Sequence, residues 1–152
     1  MAVKKKFDMH QVLNYRKELE KLCKQEFATA KQDLDCAAEE FARQKLETER
    51  LAEEFSERQQ QIDSIVEMQM YAAFFSRKRD ELKCQQERVE NLDRILEDRR
   101  QELLHATKEK KAMERLKERQ DAAFRKEQAH KEGLLLDEIA TQKKGQERQN
   151  NE

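Results

Sequence analysis

The side chains able to do chemistry in this chain are three histidines, three cysteines and 33 carboxylates spread over 152 residues. Histidine can shuttle protons or ligate metal near neutral pH, but only where several groups converge in a pocket that excludes water. His10, His105 and His130 lie far apart, and no reversal of the chain near its middle brings them together. Cys23, Cys36 and Cys84 are too few and too widely spaced for a disulfide framework or a zinc site. Cys36 and Cys84 are expected at a similar height on opposite arms, as a reduced, inert pair. No H-x-x-x-H, C-x-x-C or Gly-rich phosphate loop occurs. The carboxylates read as surface partners of Lys and Arg at helical spacing, Glu18 with Lys21 and Glu114 with Lys117 for instance. The expectation is therefore no catalysis, no metal and no cofactor, with each histidine a solvated surface group.

The elements that carry these side chains are helices. Charged residues make up 43% of the chain and apolar ones 36%, with no Pro, no Trp and two Gly. Turn-forming clusters are missing until the C-terminal end, while Glu, Lys, Arg, Gln, Ala and Leu favour helix. Such a composition leaves long helix or disorder, and periodicity decides between them. Phe27, Ala30, Leu34, Ala37, Phe41, Gln44, Thr48, Leu51, Phe55, Arg58, Ile62 and Ile65 follow the 3-4 alternation of a coiled-coil seam. Nine of these twelve are apolar, well above the chain's average, so disorder loses. Upstream, Val12, Tyr15, Leu19 and Leu22 alternate one residue out of phase, which predicts a stutter bridged by Leu19, Cys23 and Phe27. A second seam follows Leu82, Gln85, Val89, Leu92, Leu96, Arg99, Leu103 and Ala106, and continues through Lys110 to Met113.

The reversal is expected at 58–64. Ser64 and Glu67 form an S-x-x-E capping pattern ahead of the apolar stretch Met68–Phe75. The fold class is then all-α: one coiled-coil domain over 1–152, an antiparallel hairpin of a first helix over 7–58 and a second over 65–142. Gly133 is expected to interrupt the second helix near its end, and residues 143–152 to fray.

Two surfaces resist a purely structural reading. Tyr71, Phe74 and Phe75 sweep around a helix, so they either leave an aromatic exposed near the turn as a docking point or cover the end of the first arm. Residues 99–126 carry ten Lys/Arg against five Asp/Glu. That excess reads either as a solvated face or as electrostatic docking onto an acidic protein rim. A net charge of −1 removes the simple case for nucleic acid, a strong basic excess, and leaves a nucleic-acid-bridging rod as a third, weaker reading.

Four segments resemble the FliJ family, the coiled-coil subunit of the flagellar type III export apparatus. FDMHQVLNYR at 7–16 is similar to the family's opening, and EMQMYAAFF at 67–75 to its Y-x-x-F pattern. KEKKAMERLKER at 108–119 and LLDEIA at 135–140 are similar to its C-terminal half. The resemblance implies a hairpin like the central stalk of rotary ATPases, entering the hexameric export ATPase ring and promoting its assembly. It implies links to the cytoplasmic domain of the export-gate membrane protein and to export chaperones. The gate contact maps onto Phe74, with Tyr71 and Phe75 beside it. By the stalk analogy, Lys108, Lys110, Lys111, Arg115, Lys117 and Arg119 face the ring. This chain departs from the family in carrying Lys78 and Glu81 where apolar residues are frequent. The resemblance places the protein in the cytoplasm, peripheral to the inner face of the membrane at the flagellar base, with no membrane insertion and as a monomer when free. The competing readings are an injectisome stalk and a generic dimeric coiled-coil scaffold.

Overall fold

The computed structural model describes residues 9–151; the expected helix start at Phe7 lies outside them. Two helices, α1 (His10–Arg58) and α2 (Ile65–Asn150), are joined by one turn of 3-10 helix over Gln59–Gln61 and three connecting residues. The reversal uses no left-handed residue: no described residue has positive φ. The chain leaves the 3-10 turn through Ile62, which is extended at φ −91° and ψ 110°. Ser64 caps α2 by accepting a hydrogen bond from the Glu67 amide at 3.5 Å, and its carbonyl accepts one from the Met68 amide at 3.2 Å. The all-α hairpin and its turn position follow the sequence reading.

Contacts divide the chain into two units: Glu20–Ala106, and the described parts of Met1–Leu19 and Thr107–Glu152. Within the first unit the arms run antiparallel. Phe55 meets Tyr71, and Glu26 meets Arg99. Moving from 55 back to 26 on α1 thus moves the partner from 71 forward to 99, nearly residue for residue.

Burial follows a strict heptad on both helices. On α1 every 3-4 position from Phe27 to Phe55 is buried or half-buried, Gln44 and Thr48 included. The same rhythm continues upstream without a break through Leu13, Arg16, Glu20 and Cys23. The expected stutter is absent. Leu13 is 1% exposed, whereas Val12, Tyr15 and Leu22 face outward. A stutter would locally unwind the supercoil; holding the register instead places Arg16 and Glu20 on the seam. Glu20 is almost fully buried and its Oε1 pairs with Lys24 Nζ at 2.9 Å. On α2 the seam begins earlier and ends later than expected. It adds Met68, Tyr71, Phe75 and Lys78 at one end, and Lys117, Gln120 and Phe124 at the other. Arg58 and Ile65 leave the seam because the chain is turning there.

Two helices cover each other from one side only, so most seam residues keep part of their surface in water. Among the described residues the buried apolar set is Leu13, Cys23, Ala30, Leu96 and Ala106, of which Leu13 is the most completely covered. A half-buried Leu contributes about half of the roughly 1.5–3 kcal/mol of a fully buried one, so stability is spread thinly along the seam. Three polar seam residues reach side-chain partners at the seam's edge. Arg99 reaches Glu26 at 3.5 Å and Glu102 at 3.0 Å, Gln44 donates to Glu40 at 3.1 Å, and Lys78 pairs with Glu81 at 3.4 Å. Burial, with Glu26 and Glu102 nearby, pushes the Cys23 thiol above its usual range.

The expected ends need correction. α2 passes through Gly133 and Gly145 and stays helical to Asn150, eight residues past 142. Glycine weakens a helix interior by about 1 kcal/mol and lacks proline's steric block, so the neighbouring helix formers carry the helix across.

Candidate interaction surfaces

At the turn, Phe55 of α1 anchors an aromatic cluster. Its ring lies 4.8 Å from Tyr71 and 5.5 Å from Phe75, centroid to centroid. Phe74 meets Phe75 edge-on at 5.3 Å, with Lys78 Nζ 5.8 Å from its centroid. All three aromatics of the 71–75 segment are half-buried. Tyr71 and Phe75 hold seam positions against α1, so for them the covering alternative describes the arrangement. Phe74 lies off the seam. The apolar residues most exposed near the turn are Ile65 at 76%, which the sequence reading put on the seam, and Met70 at 68% and Val66 at 66%, which it did not single out. Val66, Met70 and Ala73 follow at i, i+4 and i+7, a signal visible in the sequence once the seam is placed on Tyr71 and Phe75.

The six basic residues singled out at 108–119 do not form one surface. Lys110 and Lys117 are half-buried on the seam side of α2. Lys108, Lys111, Arg115 and Arg119 are exposed and, at spacings of three, four and four, share the opposite face. In the same unit Arg16 reaches Glu109 at 3.8 Å.

The remaining chemical groups stay separate. His10, His105 and His130 are each exposed. Among the described residues no group of three His, Cys, Asp or Glu is placed to hold a metal ion. All three cysteines are free. Cys36 lines a groove along the hairpin with Ala37, Gln85, Arg88 and Leu92; Cys84 is outside that lining. The groove reflects the small Ala37 on the seam, and the buried Oε1 of Gln85 makes no hydrogen bond among the described residues. Neither expected pair, Glu18–Lys21 or Glu114–Lys117, forms. Helical pairs run instead through Glu20–Lys24, Glu40–Arg43, Glu97–Arg100 and Glu127–Lys131, because rotamers directed by each helix's burial choose among the available partners. Among the described residues no helix is long and apolar enough to cross a membrane.

The 20–106 unit is a helical hairpin with an aromatic tip, the 107–152 stretch carries a one-sided basic face, and the fold is that of a coiled-coil protein. Residues 5–149 match the family model described as "Flagellar FliJ protein". The chain belongs to that family, and is thereby a cytoplasmic stalk component associated with the flagellar export apparatus. Searches of curated proteins and of solved structures returned no match.

Proposed function

We propose that this chain is the stalk and adaptor of the flagellar export ATPase complex. In this reading it promotes assembly or activity of the hexameric ATPase ring and links the ring to the cytoplasmic domain of the export gate and to export chaperones. It acts at the flagellar base, peripheral to the inner face of the membrane. The observation that carries the proposal is the family match over nearly the whole chain, joined to a hairpin of two long helices.

A stiff hairpin inside a six-fold ring can satisfy only some subunits at once, so it stabilises one subunit state over the others through differential contacts. Lys108, Lys111, Arg115 and Arg119 supply the ring-facing charge, with Lys110 and Lys117 on the flank nearer the seam. At the gate, Phe74 is the contact. Tyr71 and Phe75 hold it in place from the seam, which fits their ring contacts with Phe55. The seam is satisfied within one chain, which supports a monomer at physiological salt.

The test pairs light scattering with an ATPase assay. A species of about 18.3 kDa that raises the turnover or hexamer fraction of the flagellar export ATPase supports the proposal. Reversing Lys108, Lys111, Arg115 and Arg119 to Glu should remove that effect, and Phe74→Ala should weaken gate binding while sparing it. A wild-type chain that leaves the ATPase unchanged refutes the reading.

A further inference from the structure

The outward faces of the two helices carry opposite charge in matching order. On α1, Asp35, Glu39, Glu49, Glu53 and Glu57 lie along the side away from the seam, and all are exposed. Ala42 and Leu46 fill the places between Glu39 and Glu49. Leu46 is 69% exposed, a large apolar side chain that the hairpin's own packing does not use. Arg43, which is ion-paired with Glu40, and Arg50, one heptad further on, intrude at one edge. On α2, Lys108, Lys111, Arg115, Arg119 and Lys126 lie along the side away from the seam, followed by His130, and again all are exposed. Ala112, Ala122 and Ala129 are interspersed among them. Glu118, exposed and one heptad from Lys111, intrudes at one edge of this face; the other acidic residues of the stretch fall about 100° or more from its centre line at 100° per residue.

Neither row is explained by the fold of one chain. Like charges at i, i+4 destabilise a helix. Yet Glu49, Glu53 and Glu57 stand in one such row, and Arg115 and Arg119 in another. None of Asp35, Glu39, Glu49, Glu53 and Glu57, nor of Lys108, Lys111, Arg115, Arg119, Lys126 and His130, takes part in an ion pair or hydrogen bond among the described residues, whereas other charged residues on both helices do.

We propose that these faces bind each other between two copies of this chain, the acidic face of α1 on the basic face of α2, with the helices antiparallel. Both rows span 23 residues, 35–57 and 108–130, or about 33 Å of helix from first to last. Aligned antiparallel, Glu57 stands opposite Lys108, Glu53 opposite Lys111 and Glu49 opposite Arg115. Further along, Leu46 lies against the aliphatic stem of Arg119, and Ala42 against Ala122, where small side chains permit close approach. Glu39 then meets Lys126, and Asp35 meets His130. Every acid finds a base. The parallel alignment sets Arg115 against Ala42 and Glu49 against Ala122, so it wastes two charges. Exposed pairs of this kind are individually weak and screened by salt. The association is therefore a low-salt, high-concentration property of the free chain, compatible with a monomer at physiological salt. If the basic face also serves the ATPase ring as proposed above, ring and second copy compete for it; the self-association stands without that reading.

The experiment is sedimentation of the full chain alone, with no ATPase present. At ~10 mM salt, where the Debye length is ~30 Å, mass should rise with concentration; at ~1 M salt it should fall to the monomer. E49K/E53K/E57K and K108E/K111E/R115E should each stay monomeric at low salt with unchanged helix content. Combining all six substitutions restores the net charge and should restore association. A wild-type chain that is monomeric at every concentration at low salt overturns the proposal. So does association that survives E49K/E53K/E57K, the outcome if copies meet through another surface of the chain. Failure of the six-fold variant to associate also overturns it.

Discussion

Replacing Phe55 with alanine removes the α1 side of the tip cluster. Phe55 is half-buried and makes two ring contacts across the hairpin, at 4.8 and 5.5 Å. Truncating a fully buried Phe costs about 3–5 kcal/mol, so half-burial sets a loss near 2. The ring geometry adds about 0.5–1.5 kcal/mol per pair, partly counted already, which brings the expected loss to about 2–3 kcal/mol. Phe74→Ala provides the internal comparison. It deletes one ring contact and the approach of Lys78, all within α2, and should cost about 1 kcal/mol. Urea unfolding followed by far-UV circular dichroism reads both. With a slope of about 2 kcal/mol/M, the Phe55 variant should lose about 1–1.5 M in midpoint and the Phe74 variant about half that or less. If Phe55→Ala moves the midpoint no further than Phe74→Ala, the cluster does not hold the arms together and the reasoning is wrong.

The unbroken register predicts that Leu13→Ala costs about 2–4 kcal/mol, while Val12→Ala and Leu22→Ala stay under about 1; urea midpoints that rank them the other way would restore the stutter. Thiol labelling of the native chain should show two fast cysteines, Cys36 and Cys84, and one slow one, Cys23, with all three fast in denaturant. Because the folded chain holds the Cys23 proton more tightly than the unfolded one, the stability from this group is complete below the unfolded thiol's value near 9.0 and is lost as pH rises beyond it. Cys23→Ala should flatten that alkaline slope, and an unchanged slope would assign it elsewhere. A Cβ at Gly133 meets nothing within 4 Å, so Gly133→Ala should raise helix content and stabilise that end of α2 by about 0.5–1 kcal/mol; a loss of helix would show that the glycine has a partner.

The seam from Phe27 to Phe55 was legible because seven of its nine positions announce themselves as apolar, so Gln44 and Thr48 could be carried through. The turn was legible because Ser64 and Glu67 mark a helix start that no Gly or Pro marks. Upstream the same logic misled. Arg16 and Glu20 look like surface residues, so apolarity favoured Val12, Tyr15 and Leu22, and only the paired helix reveals which row faces inward. The basic segment was visible as a count but not as a direction: Lys110 and Lys117 belong to one side of α2, Lys108 and Arg115 to the other. The acidic row on α1 escaped notice for the same reason, since an outward face has no meaning until the inward one is fixed. Phe74 remained ambiguous because four consecutive helical positions reach every side.

The tip cluster also bears on how the hairpin forms. Phe55 and Tyr71 are 16 residues apart in the chain, whereas Glu26 and Arg99, joined further along the same seam, are 73 apart. Loop-closure entropy grows as (3/2)RT ln n, so meeting first at the tip is cheaper by about 1.3 kcal/mol, close to tenfold in the frequency of encounter. Once the rings have met, each further heptad closes only the gap left by the one before it. The arms of the 20–106 unit therefore zip outward from Phe55, and during synthesis α1 must wait without its partner until Tyr71 and Phe75 have left the ribosome.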